Sequence, residues 1–219
     1  FVNDASPQVM SDAVRAIYDE AAPQTFVEHP KAFAAVAAAL DPQHSAPVNV
    51  RAIAANRRLG TIASAKRISG FLATPNLGRA LRVEALYALQ SWPQASTLDP
   101  IDGRYFPIPA GDLDTLSAAI GPEIWSLAND ADDKVSRRAI AVLQSIKPNK
   151  AQRDQVAGFV LDEGQRSAVR KAWLRWLRKQ DLALFTSVGV KALYSKSPEL
   201  RVVAAQELMG AKQGRSAVN

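Results

Sequence analysis

Residues 200–208 read Leu200-Arg201-Val202-Val203-Ala204-Ala205-Gln206-Glu207-Leu208, which is a branched apolar residue beside a basic one, then small residues, then an apolar residue eight positions on. Similar segments begin at Leu81, Val135 and Val169, and an imperfect copy begins at Val50. The starting points are 31, 54, 34 and 31 residues apart. A period in the thirties with apolar residues at helical spacing is typical of helical repeat arrays. The pattern therefore predicts an all-α, right-handed α-solenoid.

Cap and breaker residues place a second helix between successive copies, as in repeats of the HEAT type. These helices are expected at Thr61–Ala73, at Asp112–Asn129 with a break at Gly121-Pro122, at Asn149–Leu161 and at Asp181–Tyr194. Ser197-Pro198-Glu199 is expected to begin the last helix, and two earlier helices are expected near 8–22 and 31–40. We expect about five HEAT-like helix pairs in a single domain over residues 1–210, with a frayed tail over 211–219.

The long step of 54 residues contains a segment, residues 92–111, that cannot be helical because it holds four prolines and two glycines. Long irregular loops inside compact domains are often functional. Asp99, Asp102 and Gly103 favour a turn that Asp side chains stabilise, and they lack the alternating ligand spacing of an EF-hand calcium loop. Tyr105 and Phe106 supply apolar contact area, so this loop docks either on a partner or on the solenoid's own surface.

The composition excludes several classes of chemistry. The chain has no cysteine, which rules out disulfides, cysteine-ligated zinc, thiol nucleophiles and covalently bound haem within these residues. His29 and His44, with Glu28 and Asp41 nearby, are too few for a metal site of three or four ligands. No nucleotide-binding or nucleophile-elbow motif is present. We therefore predict no catalytic residue, no metal and no cofactor in this chain.

Charge is distributed unevenly. Residues 1–133 carry 10 basic and 15 acidic residues, whereas residues 134–219 carry 17 and 6, so a net charge of −5 precedes a net charge of +11. A basic surface is a candidate site for an anionic partner. The candidate residues in the copy that begins at Val169 are Arg170, Lys171, Arg175 and Arg178. Trp173 and Trp176 share a helical stripe with Val169 and Leu177, which predicts that at least one of them belongs to the core.

The segment from Asn49 to Gly60, the copy at Leu81 and the loop Trp92-Pro93…Asp99-x-x-Asp102-Gly103-x-Tyr105-x-Pro107 resemble the HEAT-repeat region of large exported membrane-bound-dehydrogenase-like proteins. The loop of that family reads roughly W-x-x-P-x-x-x-D-x-x-T-G-x-W-x-P, and this chain has Asp102 for the Thr and Tyr105 for the second Trp. The resemblance covers residues 49–180. It implies a quinoprotein-type β-propeller before the repeats and a c-type cytochrome domain with a Cys-x-x-Cys-His motif after them.

These observations predict a non-catalytic scaffold or interaction module from a multidomain exported dehydrogenase-like haem protein. Its partners would be the neighbouring β-propeller and cytochrome c-like domains or another protein, in the periplasm or cell envelope. The candidate interaction residues are Asp99, Asp102, Gly103, Tyr105 and Phe106 in the loop and the four basic residues of the Val169 copy. The alternative is a nucleic-acid-binding HEAT protein that uses a basic concave face. The chain shows no signal-peptide pattern and no apolar stretch of about 18 residues, so we expect no membrane span.

Overall fold

The structure is a computed structural model that describes residues 1–20, 29–120, 122–146 and 148–216. Within these ranges it contains twelve helices and two short strands. In chain order they are α1 (Pro7–Asp19), α2 (Pro30–Ala38), α3 (Ala46–Leu59), α4 (Ile62–Leu72), α5 (Arg79–Gln90), β1 (Ser96–Leu98), β2 (Tyr105–Ile108), α6 (Leu113–Ala119), α7 (Pro122–Leu127), α8 (Asp133–Leu143), α9 (Lys150–Leu161), α10 (Ser167–Gln180), α11 (Leu182–Ala192) and α12 (Pro198–Ser216). The prediction of an all-α fold is confirmed. Among the described residues, no helix has both the length and the apolar character needed to cross a bilayer.

Helix boundaries follow the cap residues that the sequence contains. The Thr61 hydroxyl accepts a hydrogen bond from the Ser64 amide, and Asn149 forms a reciprocal capping box with Gln152. Each of these bonds satisfies amides that have no partner inside the helix. At its other end α3 is stopped by Gly60, whose φ of 62° is a left-handed conformation that costs glycine little.

The chain forms two compact units, residues 1–127 and 128–219, a division that the sequence did not indicate. In the first unit α3 lies at the centre and packs against α1, α2, α4 and α5. Three of its alanines, Ala52, Ala54 and Ala55, are buried and allow neighbouring helices to approach closely. Val14, Tyr18 and Val36 fill the space around them. The abundance of alanine, 39 of 219 residues, thus has a packing role in this unit.

In the second unit α10 takes the central place and packs against α8, α9, α11 and α12. Trp173 and Trp176 are both fully buried on its inner face, with their rings in an edge-to-face arrangement 5.5 Å apart. Phe159 of α9 stacks on Trp173 at 6.3 Å. The prediction that at least one of these tryptophans belongs to the core is confirmed, and both do.

Three features differ from the sequence predictions. Residues 92–111 are not wholly irregular, since Ser96–Leu98 and Tyr105–Ile108 pair as an antiparallel hairpin with a register shift between Ser96 and Leu98. The last helix runs to Ser216, past residue 211, where a frayed tail was expected. Helix α1 ends at Asp19, and the end of the helix predicted over 8–22 lies partly outside the described residues.

Candidate interaction site

Two consecutive arginines in the last turn of α3 hold the hairpin against the helices of the first unit. Neighbouring residues on an α-helix point about 100° apart, so Arg57 and Arg58 can hold different parts of the same insertion. Both side chains are buried, at 4% and 5% exposure for the whole residue. Buried arginines are rare unless they have partners, and both of these bind acceptors in the insertion.

Arg58 anchors the turn of the hairpin through Asp99. Its Nη2 lies 2.6 Å and its Nε 3.1 Å from Asp99 Oδ2, and the same oxygen accepts a hydrogen bond of 2.7 Å from the Tyr18 hydroxyl. The guanidinium carbon is 3.9 Å from the ring centroids of both Tyr18 and Phe106. Arg58 is therefore held between two aromatic faces, a geometry that favours a desolvated cation.

The environment fixes the charge of each member of this cluster. Burial alone would favour the neutral carboxyl of Asp99, but the hydrogen bonds from Tyr18 and Arg58 outweigh it and hold its pKa below the ordinary value. Burial raises the pKa of the Tyr18 phenol, and the nearby Asp99 carboxylate adds to that shift while Arg58 opposes it. Tyr18 therefore remains a neutral donor to an ionised Asp99 at neutral pH.

Arg57 closes the base of the insertion. Its guanidinium donates to the backbone carbonyls of Ser91, Gln94 and Pro109 at 3.1, 2.6 and 3.2 Å. These carbonyls belong to the two ends of the insertion, so one side chain ties both ends together. Burial lowers the pKa of this guanidinium.

Trp92 and Gly111 complete the closure of the insertion at its base. The Gly111 amide donates to the Trp92 carbonyl at 2.7 Å. A Cβ on Gly111 would lie 2.4 Å from the Trp92 indole nitrogen, so only glycine fits this contact.

The turn between the strands uses Asp side chains as the sequence suggested. Asp99 Oδ1 accepts from the amides of Ile101 and Asp102, and Asp102 Oδ1 accepts from the amide of Arg104. Gly103 adopts a φ of 70°, which favours glycine. Asp99 is occupied by protein donors, and in the described parts of the chain no three metal-ligating side chains come together.

The hairpin buries one face and exposes the other. Phe106 and Ile108 are buried, whereas Tyr105 is 68% and Leu98 54% exposed. Beside them lies an open groove of about 290 Å³ between α3, α5 and β1, and Tyr87 of α5 lines it at 41% exposure. We call Tyr87, Leu98 and Tyr105 the hairpin surface. Of the loop candidates, Asp99 and Phe106 are directed into the protein, and Tyr105 lies on the surface.

The basic candidates in α10 are largely engaged within the second unit. Arg170 is buried and donates to both carboxylate oxygens of Glu163 at 2.9 and 3.0 Å and to the Val160 carbonyl. The hydrogen bonds that Glu163 accepts from Arg170, and to a smaller extent from Ser195, lower the pKa of its carboxyl group to about 2. Arg175 and Arg178 both pair with Glu207. Burial removes Arg170 from any surface that a partner reaches, while Lys171 is half-buried and Arg175 is exposed.

Two of the remaining polar candidates, His44 and Asp132, have hydrogen-bond partners within the protein. His44 Nδ1 lies 2.8 Å from the Ala39 carbonyl, His29 precedes α2 as its N-cap, and Glu28 lies outside the described residues. Asp132 caps α8 by accepting from the amides of Lys134 and Val135.

The roles of Tyr18, Arg57 and Arg58 were not predicted from the sequence. The one local signal was a pair of adjacent basic residues in an alanine-rich helix.

Comparisons with solved structures support a helical repeat solenoid. A designed armadillo repeat protein, YIII(Dq)4CqI, matches with a TM-score of 0.51 and 16% identity over 96% of each chain. A second designed armadillo repeat protein, solved in complex with the peptide (KR)4, matches with a TM-score of 0.53 and 16% identity over 96% of this chain and 95% of the other. An engineered protein matches with a TM-score of 0.56 and 15% identity over 97% and 94%. No protein-family model and no curated protein sequence matches the chain. At these identities the likeness shows the fold.

Proposed function

We propose that the chain is a non-catalytic helical-repeat scaffold that binds a neighbouring protein domain through the hairpin surface. The observation that carries the proposal is the exposure of Leu98 and Tyr105 on a hairpin whose other face is locked by buried contacts. Aromatic and aliphatic side chains held in place by rigid elements lose little entropy when a partner covers them. The likeness to a designed repeat protein that binds a peptide is consistent with this use of the fold.

We further propose that the partner is a domain of the same protein. The resemblance of residues 49–180 to exported membrane-bound-dehydrogenase-like proteins suggests a β-propeller and a c-type cytochrome domain as neighbours. The scaffold would then hold two redox domains at a fixed distance in the periplasm or cell envelope, and electron transfer would take place outside this chain.

The full-length gene product supplies the first test. An upstream propeller and a downstream Cys-x-x-Cys-His motif are expected, and the absence of both would refute the choice of partner. The second test titrates each of those domains into the purified chain by isothermal calorimetry. Leu98→Asp with Tyr105→Ser is expected to weaken binding by about 30-fold or more, the loss typical of interface hot spots. Tyr194→Ser, an exposed aromatic in the other unit, serves as the control. Equal affinities for the variant and the control would refute the proposed surface.

The nucleic-acid alternative has less support from the geometry. Arg170, Arg175 and Arg178 direct their charge at Glu163 and Glu207, so the net charge of residues 134–219 overstates the positive charge left for a phosphate backbone. A fluorescence-anisotropy titration with duplex DNA at two salt concentrations tests it. Micromolar binding at physiological salt that weakens steeply as salt rises would favour this alternative over the scaffold.

A further inference from the structure

The outer side of α12 exposes apolar residues at the spacing of a helical stripe. We call Val202, Ala205, Leu208 and Met209 the terminal face. Val202 is 56% and Met209 60% exposed, Ala205 is half-buried, and Leu208 is half-buried at the edge of this face, where it lies beside Gly189 of α11. The terminal repeat of a solenoid normally has a polar outer face, because an exposed apolar face at the end of the array lowers solubility. An apolar stripe on the last described helix therefore indicates a surface that something covers.

The preceding repeats show which positions of this helix are normally covered. The first helices of the three repeats follow N-cap positions Asp132, Arg166 and Ser197, which are 34 and 31 residues apart. In this register Ala205 corresponds to Ile140 and Leu174, and Leu208 corresponds to Leu143 and Leu177. All four of these counterparts are fully buried. Ala205 and Leu208 are thus only half-buried, although the corresponding residues of the two preceding repeats lie in the core.

Met209 corresponds to the position at which each earlier repeat contacts the next one. Its counterpart in α8, Gln144, accepts a hydrogen bond from Lys179 at the end of α10. Its counterpart in α10, Arg178, pairs with Glu207 of α12. The position therefore contacts the following first helix at two successive junctions. In α12 it holds a methionine, which favours an apolar contact over an ion pair.

We propose that the terminal face binds a further helix pair of the same repeat type, stacked as the next repeat of the array. The terminal face continues the series of contacts that join α8 to α10 and α10 to α12. All of these helices lie in the second unit, so the proposal is independent of the hairpin surface and of the proposed function. The helix pair would cover Ala205 and Leu208 and contact Met209 with an apolar stripe of its own.

The test adds one repeat to the full chain and measures whether the terminal face becomes covered. Residues 181–211 are duplicated in tandem, so that Ala211 precedes a second Asp181 just as Gln180 precedes the first. Because the chain has no cysteine, Met209→Cys creates a unique thiol whose labelling rate with a disulfide reagent reports its exposure. The substitution is made in the unextended chain, in the first copy of the extended chain and in its second copy.

The thiol of the unextended chain is expected to react rapidly, and the thiol in the first copy at least about tenfold more slowly, since a covered thiol is protected. The second-copy thiol should stay rapid and serves as the matched control, because it lies on the new end of the array. Equal rates in the first and second copies, or no gain of helix by circular dichroism, would overturn the proposal. Labelling of the unextended chain that slows as its concentration rises would assign the face to a second copy of the chain and would also overturn it.

Discussion

Replacing Asp99 by alanine is expected to weaken the packing of the hairpin against α1 and α3. The Arg58 and Asp99 side chains are 2% and 1% exposed, so the substitution leaves a buried guanidinium without its counter-charge. Removing one partner of a buried ion pair costs about 3–5 kcal/mol. The Tyr18 hydroxyl also loses its charged acceptor, worth about 1.5–3 kcal/mol, but the two losses share one carboxylate and do not add fully. We expect a total of about 4 kcal/mol, a large part of the stability of a domain.

Hydrogen exchange measured by mass spectrometry reports this loss at the hairpin itself. The Asp99 amide bonds the Arg104 carbonyl at 2.9 Å and is protected only while the turn is formed. The variant should lower the free energy of opening of the peptide that covers 96–108. Combining it with Arg58→Met should restore at least about 2 kcal/mol, because the unpaired charge is then absent. A cost below about 1 kcal/mol, the value of an exposed pair, would refute the assignment of a buried cluster.

The same cluster gives the first unit a defined response to pH. The pKa of Asp99 is lower in the folded chain, so its contribution is complete above the unfolded value of about 3.9 and is lost as the pH falls through the folded value. The raised pKa of Tyr18 matters at high pH. Stability is lost as the pH rises above about 10, because the tyrosine then ionises in the unfolded chain but not in the folded one. The melting temperature should therefore fall below about pH 4 in the native chain and fall less in Asp99→Asn. An equal acid response of both proteins would contradict this reasoning.

Three further substitutions test the other contacts. Arg57→Met should cost about 1–2 kcal/mol, since it leaves three partly buried carbonyls without a donor; a urea midpoint unchanged from the native chain would contradict it. Gly111→Ala should cost about 1–3 kcal/mol in the same urea assay because its Cβ overlaps the Trp92 indole, and Gly158→Ala, which meets no atom within 4 Å, is the control. Glu163→Gln should flatten the decline in melting temperature as the pH falls from about 4 toward 2, because the pKa of Glu163 is about 2. An unaltered pH profile would show that Arg170 does not set that pKa.

Local chemistry made part of the fold predictable from the sequence. The helices predicted to begin at Thr61, Asn149 and Asp181 do start there, with those residues as N-caps, because a side chain that bonds its own helix amides needs no tertiary information. The burial of Trp173 and Trp176 followed from helical spacing in the same way.

The contacts that depend on distant residues were not predictable. Tyr18 and Asp99 are 81 positions apart, and nothing in either local pattern identifies the other. The strands were missed because each is at most four residues long, too short for an alternating pattern to stand out in the sequence. The net charge of residues 134–219 did not predict the accessible positive charge either, because it does not show that Arg170 forms a buried ion pair with Glu163.

The bond between Tyr18 and Asp99 also has a consequence for how the first unit comes apart. In an ideal repeat array each repeat contacts only its neighbours, so the ends fray independently and unfolding proceeds as a series of small steps. Here the first described helix is bonded to a turn that follows four further helices, α2 to α5, so that α1 cannot detach without breaking a buried contact with the hairpin. We expect residues 1–127 to exchange their slowest amides in one cooperative event. In residues 128–219, where α8, α10 and α12 contact one another in sequence, we expect a graded loss of protection from the last helix inward.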